Sequence, residues 1–307
     1  MALTAYLSDL RDLLHDTGSN FYTDAKLTTY INAARNQIAQ DGYCLRAVTT
    51  SSSGVTGYSI VSGGSGYSAS PTLTISAPSG LSFAPVQATA TATVVAGVIT
   101  AVTITNPGGG YLAAPTVTIT DPTGSGADIT LTISSVWTAN VNQETYTFAN
   151  ASAVITANNP GYSSVFAVQD ITVSWGSFKP QLSKLPWSAF QAYFRAINTG
   201  MSNTPSYWSQ LGRGTNSTVY LYPIPSQQAE MQWDCYCLPI ALVDDTTVEA
   251  LPLPWTEAVK WYAAYRAYMA AQRQPDAQAM LGEYSRKMQS YSAVSSPAVV
   301  PQIYGDF

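Results

Sequence analysis

Apolar residues recur at helical spacing toward both ends of the chain and at strand spacing in between. Leu3, Tyr6, Leu7, Leu10, Leu13 and Leu14 form one stripe, which predicts a first helix ending near Thr17-Gly18. Thr23 or Asp24 can cap a second helix, buried along Leu27, Tyr30, Ile31, Ala34 and Ile38, with Gly42 as a left-handed stop. The two should pack as an antiparallel hairpin. Toward the other end, Leu251-Pro252-Leu253-Pro254 can neither continue a sheet nor sit inside a helix, so it launches a helix at about Trp255. That helix carries a face of Trp261, Tyr265, Tyr268, Met269 and Gln272, and Pro275-Asp276 separates it from another, striped by Met280, Leu281, Tyr284, Met288 and Tyr291. Strands are expected over 145–148, 170–175, 218–222 and 230–237, and a short amphipathic helix with Trp187, Phe190, Tyr193, Phe194 and Ile197 on one side. From 292 to 307 the helical period stops and Pro297 and Pro301 appear, which predicts an extended arm.

Within 51–135 the period changes to two, and the segment repeats itself. The run Gly66-Tyr67-Ser68-Ala69-Ser70-Pro71-Thr72-Leu73-Thr74-Ile75 matches Gly110-Tyr111-Leu112-Ala113-Ala114-Pro115-Thr116-Val117-Thr118-Ile119 at an offset of 44 residues. Each copy alternates β-branched or apolar residues with Thr or Ser, as a strand with one buried and one wet face does, and Gly-rich segments supply the turns. Two copies are too few for an open solenoid, so the halves should pack on each other as a small sandwich or barrel. The fold class expected is α+β: a helical body, made of the N-terminal helix hairpin plus C-terminal helices, with a small β-sheet and an inserted all-β duplicated domain. Residues 1–50 and 136–291 make the body, 51–135 the insert and 292–307 the arm.

Composition narrows the functional classes. Charged residues are only 10% of the 307, against about 25% in ordinary soluble domains, so hydroxyls, amides and 20 tyrosines must keep the surface wet. Such surfaces suit crowded assemblies. The net charge of −5 and the absence of Lys or Arg from 47 to 178 leave no stripe for neutralising phosphates, which excludes stable nucleic-acid binding. A mildly acidic lining would let DNA slide past without adhering. The N-terminal residues show no signal-peptide pattern, and no apolar run is long enough to span a membrane, so the expectation is a protein made in a cytoplasm.

Catalytic chemistry finds little to use. The single histidine, His15, lies beside Asp16 without a nucleophile elbow and reads as a helix C-terminal cation. Asp244-Asp245, the one adjacent carboxylate pair, falls in a loop where aspartate is turn chemistry. Cys235 and Cys237 share a strand face with no histidine near in sequence, so they read as buried thiols beside the third cysteine, Cys44. Gly108-Gly109-Gly110 leads into a strand and lacks the following helix that a phosphate cradle needs. No catalytic residue, cofactor or metal is assigned. Two aromatic features stand as binding candidates. Tyr67 and Tyr111 occupy the same repeat position and are either surface platforms for a sugar or plugs of the two half-cores. Tyr262 and Tyr265 exceed what one buried stripe needs and are candidates for a subunit interface.

The order of segments carries a resemblance. The hairpin with Phe21-Tyr22-Thr23-Asp24-Ala25-Lys26-Leu27, the Ser174-Trp175-Gly176 step toward Leu185 and Phe194, the strand end Leu221-Tyr222-Pro223-Ile224-Pro225, and Leu251-Pro252 before terminal helices together resemble the head-to-tail adaptor (connector) proteins of tailed bacteriophages. The repeat is similar to small β-modules embedded in phage structural proteins. The resemblance implies a non-enzymatic virion protein at the head–tail junction, assembled in the host cytoplasm. It implies a homo-oligomeric ring, of twelve copies by the portal's symmetry, around a continuous DNA channel. Its partners would be the portal protein and a tail nozzle, tail tube or other neck protein. It further implies that the C-terminal arm reaches the portal, with Pro297 starting it and Ile303, Tyr304 and Phe307 as anchors. The alternatives are another neck or tail component, or a carbohydrate-binding host-adhesion module built on the β-repeat.

Overall fold

The computed structural model describes residues 2–195 and 202–295. In chain order, α1 (Leu3–Leu14) and α2 (Asp24–Gly42) precede β1 (Arg46–Val48), β2 (Val55–Ser65), β3 (Thr72–Ile75), β4 (Thr89–Val95) and β5 (Val98–Asn106). Then come β6 (Val117–Thr120), β7 (Ser125–Ile133), β8 (Thr138–Ala139), β9 (Thr145–Thr147), α3 (Phe148–Asn158), β10 (Tyr162–Val173) and β11 (Ser183–Lys184). The chain continues through α4 (Trp187–Phe190), β12 (Ser202–Asn203), β13 (Tyr207–Leu211), β14 (Thr218–Tyr222), β15 (Ile224–Pro225), β16 (Ala229–Pro239), α5 (Val259–Ala270) and α6 (Gln274–Ser295). The class is mixed α+β. Two compact units result: one holds the described residues up to Arg46, Pro160–Ser163 and those from Cys237 onward, the other Ala47–Asn159 and Ser164–Tyr236.

In the first unit, helices from both ends of the chain share one core of Leu3, Leu10, Leu27, Ile31, Ile38, Val259, Tyr268, Tyr284 and Met288. Helix α1 stops with its stripe at Leu14, a few residues before the end expected near Thr17-Gly18, because His15 turns left-handed at φ 55°. Thr23 caps α2 as expected, accepting the Lys26 N–H. The left-handed stop, however, falls on Tyr43, while Gly42 stays helical. Gly42 is there for space: a Cβ on it would sit 2.5 Å from the Trp255 ring. In α5 the buried face is Val259, Ala263, Ala264, Ala267 and Tyr268, and Met269 is exposed. The aromatic stripe read from the sequence is therefore only partly the core face. Alanines win because small side chains let α1, α2 and α6 approach α5 closely.

The second unit contains a sheet of order β1-β16-β10 with β8 on β16, and another of order β11-β13-β14-β9. Strands β14 and β16 fall where alternation puts them. The strand expected over 145–148 ends at Thr147, whose side chain caps α3 through the Asn150 N–H, and Phe148 opens that helix. The strand expected at 170–175 is the end of the longer β10, and Trp175 lies beyond it. After α4 the chain widens into a π-helical turn over 191–195, which leaves Tyr193 exposed instead of on the buried side. Ile197 lies outside the described residues. Trp233 of β16 centres the interior, with Trp137 edge-on at 5.1 Å and Phe148 at 6.1 Å.

The duplicated segment forms three antiparallel pairs, β2 with β7, β3 with β6 and β4 with β5. Ala88 to Val95 aligns with Ala127 to Ser134 once five residues are dropped from the preceding loop. With that alignment the two copies exchange parts. Tyr111 N–H donates to Ser53 O at 3.0 Å, and Tyr67 N–H to Gly97 O at 3.0 Å, each a bond between opposite copies. Gly64 and Gly108 share a left-handed backbone (φ 64° and 66°), and a Cβ on either would strike the other copy's backbone, at Ser125 O or Val86 O, at 2.5 Å. The five-residue excess breaks the symmetry once. It lets Leu81 bond the backbone at the start of β16, its N–H donating to Gln228 O at 2.7 Å and its carbonyl accepting from Glu230 N–H at 2.9 Å. Ser82 Oγ donates to Glu230 Oε1 at 2.9 Å, while Lys179 Nζ bonds Ser51 Oγ at 2.8 Å and Glu230 Oε2 at 3.3 Å. Those bonds make the β-repeat part of one unit with the sheets.

Candidate functional site

The residues that carry recognisable chemistry are occupied by structural work. Tyr67 and Tyr111 are 8% and 2% exposed. Tyr111 fills a half-core of Val55, Ile75, Ala88 and Leu131, and Tyr67 fills its counterpart with Ile99, Val102 and Ile129. Ala88 N–H donates to the Tyr111 hydroxyl at 2.9 Å, and Ala127 N–H to that of Tyr67 at 3.1 Å. Each ring thus plugs the half-core of the other copy. Cys235 and Cys237 are buried, and burial pushes the Cys237 and Cys44 thiols up to about 12, so neither offers a thiolate at neutral pH. Tyr262 lies 5.0 Å from the Tyr284 ring of α6 and 5.5 Å from Tyr265, so part of the aromatic surplus of α5 is absorbed within the subunit. Pro297, Ile303, Tyr304 and Phe307 lie outside the described residues.

What the helical unit presents to solvent is a loop at one end and a pocket at the other. The 241–254 loop is pinned from inside by its three acids. Asp245 accepts Thr4 N–H at 2.8 Å and Thr4 Oγ1–H at 2.9 Å. It thereby supplies the acidic N-terminal cap that the first turn of α1 lacks in its own sequence. Asp244 Oδ1 accepts from the backbone and hydroxyl of Thr246 and of Thr247. Hydrogen bonds from the Thr246 and Thr247 hydroxyls, and then from their amides, hold the Asp244 carboxyl below the usual carboxylate range. Glu249 takes a bidentate bond from Arg35 (Nη2 2.7 Å, Nε 3.0 Å) and one from the Tyr6 hydroxyl at 2.9 Å. With the acids turned to this work, Val243, Val248 and Leu253 point outward.

At the opposite end, Leu14, His15, Phe21, Tyr22, Lys26, Tyr268 and Arg273 line a pocket of about 480 Å³. Its turn is built on Asp16, which accepts N–H bonds from Asn20 at 2.8 Å, Phe21 at 3.2 Å and Tyr22 at 3.0 Å. Arg11 Nη1 stands 3.4 Å from the same carboxylate. Burial raises the Asp16 carboxyl, but the three N–H donors and the guanidinium outweigh it and bring it below 3.8. A carboxyl lowered on folding contributes stability that is present above the unfolded value and lost as pH falls through the folded one. Amide protection at Asn20, Phe21 and Tyr22 is therefore expected to hold at about pH 5 and to drop below about pH 4, while α2 stays protected. Site-resolved hydrogen exchange checks this, and equal protection across that range would refute the role of Asp16.

None of these exposed groups was singled out from the sequence. Phe21, Val243, Val248 and Leu253 are given no role by the sequence pattern; they lie on turns held by local bonds to Asp16 and Asp244 and by the distant bonds of Asp245 and Glu249. Among the described residues no group of three or more His, Cys, Asp or Glu is placed to hold a metal ion, and no described helix is long and apolar enough to cross a membrane. The family model described as SU10 adaptor protein matches residues 1–301. Among curated proteins, none matches the chain.

Proposed function

Because the chain belongs to the SU10 adaptor protein family, we propose that it forms the adaptor ring between portal and tail and keeps a continuous channel for DNA. Membership makes it a structural adaptor of the phage particle, with head and tail proteins as its neighbours. The observation that carries the finer reading is the shared core of the helical unit, where α1 and α2 from the start of the chain pack with α5 and α6 from its end. In this reading 1–50 and 136–291 are the adaptor body, 51–135 is an inserted β-repeat and 292–307 is an arm. The burial of Tyr67 and Tyr111 removes the aromatic platform on which a sugar-binding role would rest. A net charge of −5, with no Lys or Arg from 47 to 178, suits a wall that DNA passes without binding.

Work is done by assembly, without turnover. The ring matches the twelvefold portal, and the arm anchors it there through Ile303, Tyr304 and Phe307. Negative-stain microscopy of the chain mixed with its portal is expected to show a ring stacked coaxially on the portal. Deleting 297–307 should abolish portal binding and leave the circular dichroism of the subunit unchanged. Undiminished binding by the deletion variant would remove the arm from the proposal, and a bare portal beside unassembled full-length subunits would remove the ring.

A further inference from the structure

Resting on the assembly of repeated copies proposed above, we infer that the 241–254 loop of one copy docks into the pocket formed by Leu14, Phe21, Tyr22 and Tyr268 of the next. The three most exposed large apolar side chains among the described residues are Phe21 at 83%, Leu253 at 79% and Val243 at 76%. All three belong to the helical unit, one at the pocket and two on the loop. Monomers leave single apolar residues in water routinely, but here the three most exposed ones fall at two built ends of one unit. Helix α1 joins those ends: Thr4 is bonded to the loop and Leu14 lines the pocket. The ten residue steps of α1 from Thr4 to Leu14, at about 1.5 Å of rise each, hold them about 15 Å apart, nearly three helical turns. One copy cannot bring its own loop to its own pocket.

The two surfaces are complementary in chemistry. The loop has no basic residue, and Asp244 and Asp245 are exposed beside Val243, while the charge of Glu249 is already met by Arg35. The pocket has no acidic residue among its lining and carries Lys26 and Arg273 around aromatic rings. Arg273 already pairs with Asp276 at 2.7 Å and lies over the Tyr268 ring. Lys26 lies 6.0 Å from the centre of the Tyr22 ring and forms no ion pair among the described residues, which leaves it to meet Asp244. Both partners are ordered before they meet, the loop by its three acids and the pocket by Asp16, so little conformational freedom is lost on contact. Two different patches meeting make a head-to-tail interface, and such an interface repeated around a closing rotation produces a ring.

Sedimentation velocity and native mass spectrometry on the full chain test this with two double variants. Val243→Ser with Leu253→Ser disables the loop, and Phe21→Ser with Lys26→Glu disables the pocket; all four side chains are at the surface, and circular dichroism verifies folding. The unsubstituted chain is expected to self-associate, and each variant alone to associate at least about tenfold more weakly. Mixed in equal amounts, the variants should form a heterodimer and nothing larger, because only one competent loop and one competent pocket remain per pair. Variants that assemble like the unsubstituted chain would overturn this interface and leave the ring standing. An unsubstituted chain that stays monomeric up to about 1 mM would overturn it as well, and the ring is then judged by the portal microscopy alone.

Discussion

Glu249→Ala is expected to lower the stability of the helical unit by about 3–5 kcal/mol, because it removes one partner of a buried ion pair and leaves the other charged. The Arg35 and Glu249 side chains are 1% and 6% exposed. Beyond the bidentate pair, Arg35 Nη1 donates to Ile240 O at 2.6 Å and to Asn32 Oδ1 at 3.2 Å, so the guanidinium is fixed on three sides and cannot turn to water. The same substitution strands the Tyr6 hydroxyl and the Leu251 N–H, both of which donate to Glu249. Burial, and then the neighbouring Glu249 charge, raise the Tyr6 hydroxyl well above its ordinary value, so it remains a donor at any physiological pH. Glu249→Gln keeps the shape and one acceptor and should cost less than the alanine variant. Urea unfolding gives the loss, and hydrogen exchange places it: α1, α2 and the 241–254 loop should lose protection together. A change below about 1 kcal/mol would mean that the loop relaxes enough to hydrate Arg35, and that the pair does not hold the two ends of the chain together.

That network marks where sequence reading stops. The stripes of α1, α2 and α6 are visible in one dimension because each helix buries a single face against a single core, so 3.6-residue periodicity survives. The α5 face is misread for the opposite reason. It is packed by α1, α2 and α6, and the positions of closest approach demand alanine, which a hydrophobicity pattern discounts beside Trp261 and Tyr265. Helix α3 escapes notice because Thr147 serves the strand before it and the helix after it, and Phe148 continues the apolar alternation of the strand. Asp245 illustrates the limit for the candidate site. Asp244-Asp245 reads as turn chemistry, and the turn exists, but the bond from Asp245 to Thr4 spans 241 residues. No local window contains it. The loop that exposes Val243, Val248 and Leu253 is anchored by such bonds, and its placement is legible only once they are seen.

The β-repeat shows the same boundary from another side. Self-similarity states that Tyr67 and Tyr111 are equivalent, and equivalence holds whether each ring stays in its own copy or crosses to the other. Crossing has a measurable consequence, because the half-core of Val55, Ile75 and Ala88 depends on a ring delivered by the second copy. Tyr111→Ala is expected to cost about 3–5 kcal/mol, the range for emptying a large buried aromatic site, and the loss should appear in β2 and β3 of the first copy as well as around residue 111. Tyr111→Phe separates packing from hydrogen bonding. It retains the ring but orphans the buried Ala88 N–H and the Ser76 carbonyl that receives the hydroxyl at 3.0 Å, a loss of about 1–3 kcal/mol. Tyr67→Phe should cost less, since Ala127 is only partly buried and its N–H can find water. The double alanine variant tests the exchange itself. Rings that plug each other's half-cores share strands, β2 with β7 and β3 with β6, so the two losses must couple and the double variant must differ from their sum by more than about 0.5 kcal/mol. Additive losses, with exchange protection in β2 and β3 unchanged in Tyr111→Ala, would mean that each copy holds its own core and the swap has no energetic weight.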